Sequence, residues 1–107
     1  MKGAFVYIWE YSVDDDCIVS FKKIYGPDGD WVKLFRRAEG YVRTDLLSDQ
    51  NNPNRFITID VWKSKAHRDN FRREYSEEFE KLDQYAESYT RSEKPLGEFD
   101  VLGDDPA

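Results

Sequence analysis

Residues 4–12, AFVYIWEYS, constrain the fold more than any other stretch of the chain. They are nearly all β-branched or aromatic and predict a strand. Taken with a period of two, Phe5, Tyr7, Trp9 and Tyr11 share one face, and Val6, Ile8 and Glu10 the other. A strand with bulky groups on both faces needs cover on both, so it belongs in a sheet whose two sides are occupied.

The rest of the sequence supplies that sheet and its helices. Asp14, Asp15 and Asp16 offer N-cap side chains and negative charge for a helix start, and Ile18, Phe21, Ile24 and Tyr25 follow at helical spacing. Gly26-Pro27-Asp28-Gly29 interrupts that helix. Asp30 can cap a second short piece over residues 31–38, with Trp31, Leu34 and Phe35 as its apolar face and Gly40 beyond its end. Residues 41–48 and 55–62 predict two strands of an antiparallel hairpin, joined by the turn-forming residues 49–54. Ser64 can cap a long helix to about Tyr89. Its stripe is Phe71, Tyr75, Phe79, Leu82, Ala86 and Tyr89, while Arg68, Arg72, Glu77, Glu80 and Lys81 face solvent. Residues 90–102 predict a weaker last strand, and residues 103–107 a frayed end. The order β-α-β-β-α-β is the ferredoxin-like α+β arrangement, read as one domain over residues 1–107.

Composition narrows the function classes. Aromatic residues make up 16% of the chain, too many for a disordered acidic segment. Twenty-two Asp and Glu against 16 Lys and Arg leave a formal charge of −6, which argues against a phosphate-tracking nucleic-acid protein. No stretch approaches the ~18 apolar residues of a membrane span, and residues 1–4 lack a signal-peptide core. Cys17 is the single cysteine, which points to a reducing, cytoplasmic setting. Asp14-Asp15-Asp16 lacks metal-ligand spacing, and Asp28-Gly29-Asp30 lacks the later ligands of a calcium loop. No zinc, phosphate-loop or dinucleotide fingerprint occurs. His67 reads as a solvated residue of a helix's first turn.

The aliphatic sets Val6-Ile8, Val42-Leu46 and Ile57-Ile59-Val61 suit the side of the sheet covered by helices. The opposite face then carries Phe5, Tyr7, Trp9, Tyr11, Tyr41, Arg43, Asp45, Leu47, Phe56, Thr58, Asp60 and Trp62. Soluble monomers rarely leave so large an apolar patch open, so a second copy is expected to cover it and enclose a cavity. With Ser48 opposite Arg55, Arg43 would pair across the strands with Asp60, and Asp45 would face Thr58. A slip of two residues would set Arg43 against Thr58 or Trp62 instead. Asp45 and Asp60 on that face, with the net negative charge, also argue against RNA stacking on the rings.

The pieces FVYIWEY, FKKIYGPDGDWVKLFRRAEGY, TDLLSD, RFITIDVWKS and LGEF, in this order and spacing, resemble the antibiotic-biosynthesis-monooxygenase (ABM)-like proteins of the dimeric α+β barrel superfamily. The resemblance implies a ferredoxin-like protomer, a barrel-forming homodimer and a small cavity in each protomer. Some members are cofactor-independent oxygenases of aromatic polyketides, others degrade haem, and many have no established activity. Trp62 stands where the family often has a pocket tryptophan. Haem-degrading members resemble one another in a first-strand asparagine and a second-helix histidine. This chain has Tyr7, Trp9 and Tyr11 on that strand, His67 in the first turn, and Arg72 where an iron ligand is expected. Haem degradation is therefore not expected.

A cofactor-free oxygenase has to take a proton from an activated phenol or anthrone and hold the resulting anion. Trp62, Arg43 and Asp60 are the expected catalytic residues, with Arg43 as the anion's partner, and Tyr7, Trp9, Tyr11, Tyr41, Asp45 and Thr58 are expected to bind a small aromatic or quinone-like substrate. No cofactor or metal is expected. The alternative reading of the same residues is a non-catalytic homodimer that binds a small hydrophobic metabolite, or one that only packs on itself.

Overall fold

A computed structural model describes residues 3–103 of the chain. The elements are β1 (Phe5–Ser12), a 3₁₀ turn (Asp15–Cys17), α1 (Ile18–Tyr25), α2 (Asp30–Phe35), β2 (Tyr41–Asp49), β3 (Asn52–Trp62), α3 (Lys65–Glu74), α4 (Ser76–Glu87) and β4 (Ser92–Asp100). The strands form one antiparallel sheet in the order β2-β3-β1-β4. This is the ferredoxin-like α+β fold. Residues 104–107 of the expected frayed end lie outside the described residues.

Local chemistry sets the element ends. Ser64 Oγ accepts from the His67 backbone N–H at 3.2 Å, the N-cap bond its position predicts. Asp14 makes no side-chain cap, however, and Gly29 rather than Asp30 occupies the cap of α2. The turn between β2 and β3 is tighter than six residues: Asp49 pairs with Asn52, and the Asp49 carboxylate accepts from the Asn51 N–H at 2.8 Å. The long helix expected after Ser64 is broken at Tyr75 (φ −112°, ψ 27°), whose hydroxyl donates to the Arg37 carbonyl at 2.9 Å.

The helices cover the aromatic face of the sheet, the reverse of the expected arrangement. Tyr11 packs 4.7 Å from Tyr25, Phe56 5.0 Å from Phe21, and Trp62 5.3 Å from Phe71, ring centre to ring centre. Val6, Ile8, Ile57 and Ile59 lie on the other face, only half-buried. Burial area explains the choice. Each aromatic side chain removes roughly 150–250 Å² from water, more than a valine or isoleucine can, and α1, α2, α3 and α4 present rings of their own to meet them.

The β2–β3 register carries a second correction. A bulge between Tyr41 and Arg43 shifts the pairing by one residue, so Ser48 meets Phe56, Asp45 meets Ile59 and Arg43 meets Val61. A one-residue shift moves every side chain to the opposite face. Thr44 and Leu46 therefore point under the helices, while Arg43, Asp45 and Leu47 point away from them.

Gly40, before β2, has φ +91°, and a Cβ there would lie 2.3 Å from the His67 ring. That ring is held by its Nδ1, 2.7 Å from Ser64 Oγ, so it is a packed residue rather than a freely solvated one. Gly40→Ala combines left-handed strain with a clash it cannot relieve. It is expected to cost about 2–4 kcal/mol in urea unfolding with an unchanged m-value.

Candidate active site

A partly open cavity of about 320 Å³ lies between the aromatic sheet face and the helices. Its floor is Tyr7, Trp9 and Tyr11 of β1, Thr44 of β2, and Thr58, Asp60 and Trp62 of β3. Above them stand Tyr25, Trp31 and Phe35, then Arg68, Phe71, Arg72, Phe79 and Asp83 from α3 and α4, with Glu93 of β4 at one side. The aromatic face is thus hollow.

At one end of the floor the polar groups form a chain. The Tyr41 hydroxyl donates to Thr44 Oγ1 at 2.8 Å, and Thr44 Oγ1 donates to Asp60 Oδ1 at 2.7 Å. Asp60 is 9% exposed. Burial pushes its carboxyl up to about 6, against the opposing pull of the Thr44 hydrogen bond. The second carboxylate oxygen accepts no hydrogen bond among the described residues, which leaves it available to a ligand. Burial also raises the Tyr41 hydroxyl, and raises Tyr11 well above its ordinary value, so both phenols are proton donors near neutral pH.

Two cations reach the cavity, and they differ. Arg68 lies 4.7 Å over the Tyr7 ring and is tied to Asp69 at 3.1 Å and Glu98 at 2.6 Å. Burial opposes its charge, but these two carboxylates outweigh that and raise its pKa. Arg72 stacks 4.0 Å over Phe79 and has no ion pair among the described residues.

Six of the residues expected at a site, Tyr7, Trp9, Tyr11, Thr58, Asp60 and Trp62, line this cavity. Tyr41 stands behind it and acts on it through Thr44. Arg43 and Asp45 are on the opposite face, paired with each other at 3.3 Å, because of the β2 bulge. Asp60 pairs with Thr44 in place of Arg43. Thr44, Arg68, Arg72, Asp83 and Glu93 are polar lining residues that sequence reasoning missed. The i, i+4 spacing of the two arginines beside Phe71 is the signal that could have placed them. Among the described residues, no group of three or more His, Cys, Asp or Glu is placed to hold a metal ion, and no helix is long and apolar enough to cross a membrane.

The fold recurs in solved structures. SnoaB, a cofactor-independent oxygenase from Streptomyces nogalater, superposes with a TM-score of 0.76 at 20% identity, over 98% of this chain and 99% of that one. A Nitrosomonas europaea protein assigned to the antibiotic biosynthesis monooxygenases gives 0.72 at 17% identity, over 95% and 93%. A conserved protein from Methanosarcina mazei gives 0.73 at 13% identity, over 91% of each chain. At such identities the likeness establishes the fold alone. No curated protein sequence matches the chain. The sequence profile of the antibiotic biosynthesis monooxygenases matches residues 30–82, from α2 through β2, β3 and α3 into α4. Profile and fold agree: residues 30–82 match the antibiotic biosynthesis monooxygenase family, and the chain as a whole has the fold seen in solved structures described as such monooxygenases.

Proposed function

We propose that the protein is a cofactor-independent monooxygenase acting on a small aromatic or quinone-like compound bound in this cavity. The observation that carries the reading is Asp60, a buried carboxylate in an aromatic chamber with one oxygen held by Thr44 and the other open. A base whose pKa is near 6 is largely ionised at neutral pH, yet far more basic than an ordinary aspartate. It takes a proton from an activated ring carbon or phenol, and the carbanion passes one electron to dioxygen. Substrate radical and superoxide then combine into a peroxide at that carbon. Breaking the O–O bond with loss of the second carbon-bound proton leaves a carbonyl and releases one water, so CH₂ and O₂ become C=O and H₂O. The Tyr41–Thr44 chain steadies the base, and Trp62, Trp9 and Tyr7 supply walls for stacking. Oxygen uptake with a panel of anthrones and quinols, measured on the protein and on Asp60→Asn, tests the reading. No uptake with any of them overturns it.

We also propose a homodimer, now through the aliphatic face, in the reducing cytoplasm that a single free cysteine suits. Val6, Ile8, Ile57 and Ile59 form a half-buried strip there, flanked by Leu47 (46% exposed) and Phe99 (49%). A second sheet face is the simplest cover for such a strip. Sedimentation is expected to show twice the 12.7 kDa chain mass, and Ile59→Glu to return it to one chain. A 12.7 kDa wild-type particle would refute the dimer and leave the cavity untouched.

A further inference from the structure

A second polar pair stands on the cavity floor, one step along β3 from Asp60. Thr58 and Asp60 are two residues apart on the same face, about 7 Å along the strand. Tyr11 reaches across from β1 to meet Thr58, and the two hydroxyl oxygens lie 3.3 Å apart. Both residues are closed to bulk water, Tyr11 at 6% exposure and Thr58 at 3%, and both line the cavity.

Two hydroxyls carry two protons, and the single hydrogen bond between them uses one. With Thr58 donating, the Tyr11 O–H has no acceptor among the described residues; with the roles exchanged, the Thr58 O–H has none. In either orientation the pair keeps one O–H for an occupant. A buried donor without a partner costs free energy that an accepting ligand recovers. Burial, opposed by Thr58 and aided by the charge of Asp60, holds the Tyr11 hydroxyl well above its ordinary range, so it stays protonated.

The nearby cations are poorly suited to hold a negative charge here. Arg43, the partner expected for a substrate anion, lies on the opposite face of the sheet. Arg68 is neutralised by Asp69 and Glu98, and Arg72 is exposed. A guanidinium beside Asp60 would also pair with it and lower its pKa, which weakens the base. A neutral hydroxyl pair can receive charge without that loss.

We propose that the Tyr11–Thr58 pair is the hydrogen-bond donor for a carbonyl oxygen of the cavity's ligand and holds that oxygen as it becomes an enolate. The assignment rests on the reading of Asp60 as the base and adds the group that receives the charge. The proton of the ring C–H passes to the open oxygen of Asp60. The C–H electron pair moves into the ring, and C=O becomes C–O⁻. The free O–H of the pair keeps its proton and strengthens its hydrogen bond to that oxygen, in a site from which water is largely excluded.

Equilibrium dialysis with 1-tetralone and tetralin, at pH 8 where Asp60 is ionised and donates nothing, tests the donor without turnover. Tyr11→Phe with Thr58→Val is expected to weaken 1-tetralone about tenfold, the worth of one hydrogen bond, and not to weaken tetralin. If the double variant does not fold, Tyr11→Phe alone carries the test, with a loss of about threefold because Thr58 can turn its O–H to the ligand. Undiminished ketone affinity overturns the proposal. So does an equal loss for tetralin, which marks a lost shape rather than a lost donor, or no binding of the ketone to wild type. With any substrate that wild type oxidises, the double variant is expected to turn over about 10²-fold more slowly. Unchanged turnover overturns the proposal and leaves the oxygenase reading standing. Ketone affinity lost in the variant of a protein that takes up no oxygen supports the donor and removes the oxygenase reading.

Discussion

Asp60→Asn is expected to raise the melting temperature by several degrees at neutral pH and to lower oxygenase turnover by about 10²–10³-fold. Both effects have one cause. The folded carboxyl titrates near 6 and the unfolded one near 3.8 because burial disfavours the charge. Between those values the native state binds the proton more tightly than the unfolded state does. Stability therefore falls as pH rises through that window, and at neutral pH the ionised group costs roughly 2–3 kcal/mol. The amide keeps the Thr44 hydrogen bond, carries no charge, and should recover about 1–2 kcal/mol of that penalty. Wild-type activity is expected to fall as pH drops below about 6, as the base takes up its proton. Thermal melts at pH values on either side of the window check the stability half. Burial raises Glu93 in the same direction, so the difference between wild type and variant isolates Asp60. A variant less stable than wild type at neutral pH would show that the carboxylate holds the fold together.

Trp62→Ala is expected to be the most damaging core truncation. Trp62 is 2% exposed and packs 5.7 Å from Phe35, 5.4 Å from Tyr41 and 5.3 Å from Phe71. Emptying that position removes apolar burial and leaves a void that the strand end cannot collapse into, for a cost of about 3–5 kcal/mol. Against a total stability of about 5–15 kcal/mol for a domain of this size, the melting temperature should drop by roughly 15 °C or more. Trp62→Phe retains most of the contact and should cost about a third as much. Urea unfolding of both variants checks the ratio. Equal small losses would mean that the ring is replaceable and that the cavity wall lies elsewhere.

The element order was readable because it depends on local signals: alternation in residues 5–12, the Gly26-Pro27 break, the Ser64 cap and the helical stripe from Phe71. Trp62, Asp60 and Thr58 were readable as a set because alternation places β3 residues on common faces. The same alternation misled on β2. The bulge after Tyr41 adds one residue that no composition rule announces, and it exchanges Arg43 and Asp45 for Thr44 beside Asp60. The arginines of α3 were missed for a related reason. A charged side chain at helical spacing reads as solvated, although its stem can lie along an aromatic wall, as Arg72 does on Phe79.

Sequence alone determined that this chain makes a four-stranded sheet with helices and that one face of it is aromatic, because period and propensity are properties of neighbouring residues. Tertiary structure alone decided which face the helices cover and which side chain meets Asp60. Those outcomes compare the areas that competing packings bury and depend on a one-residue shift in register, and both quantities exist only once distant segments are in contact.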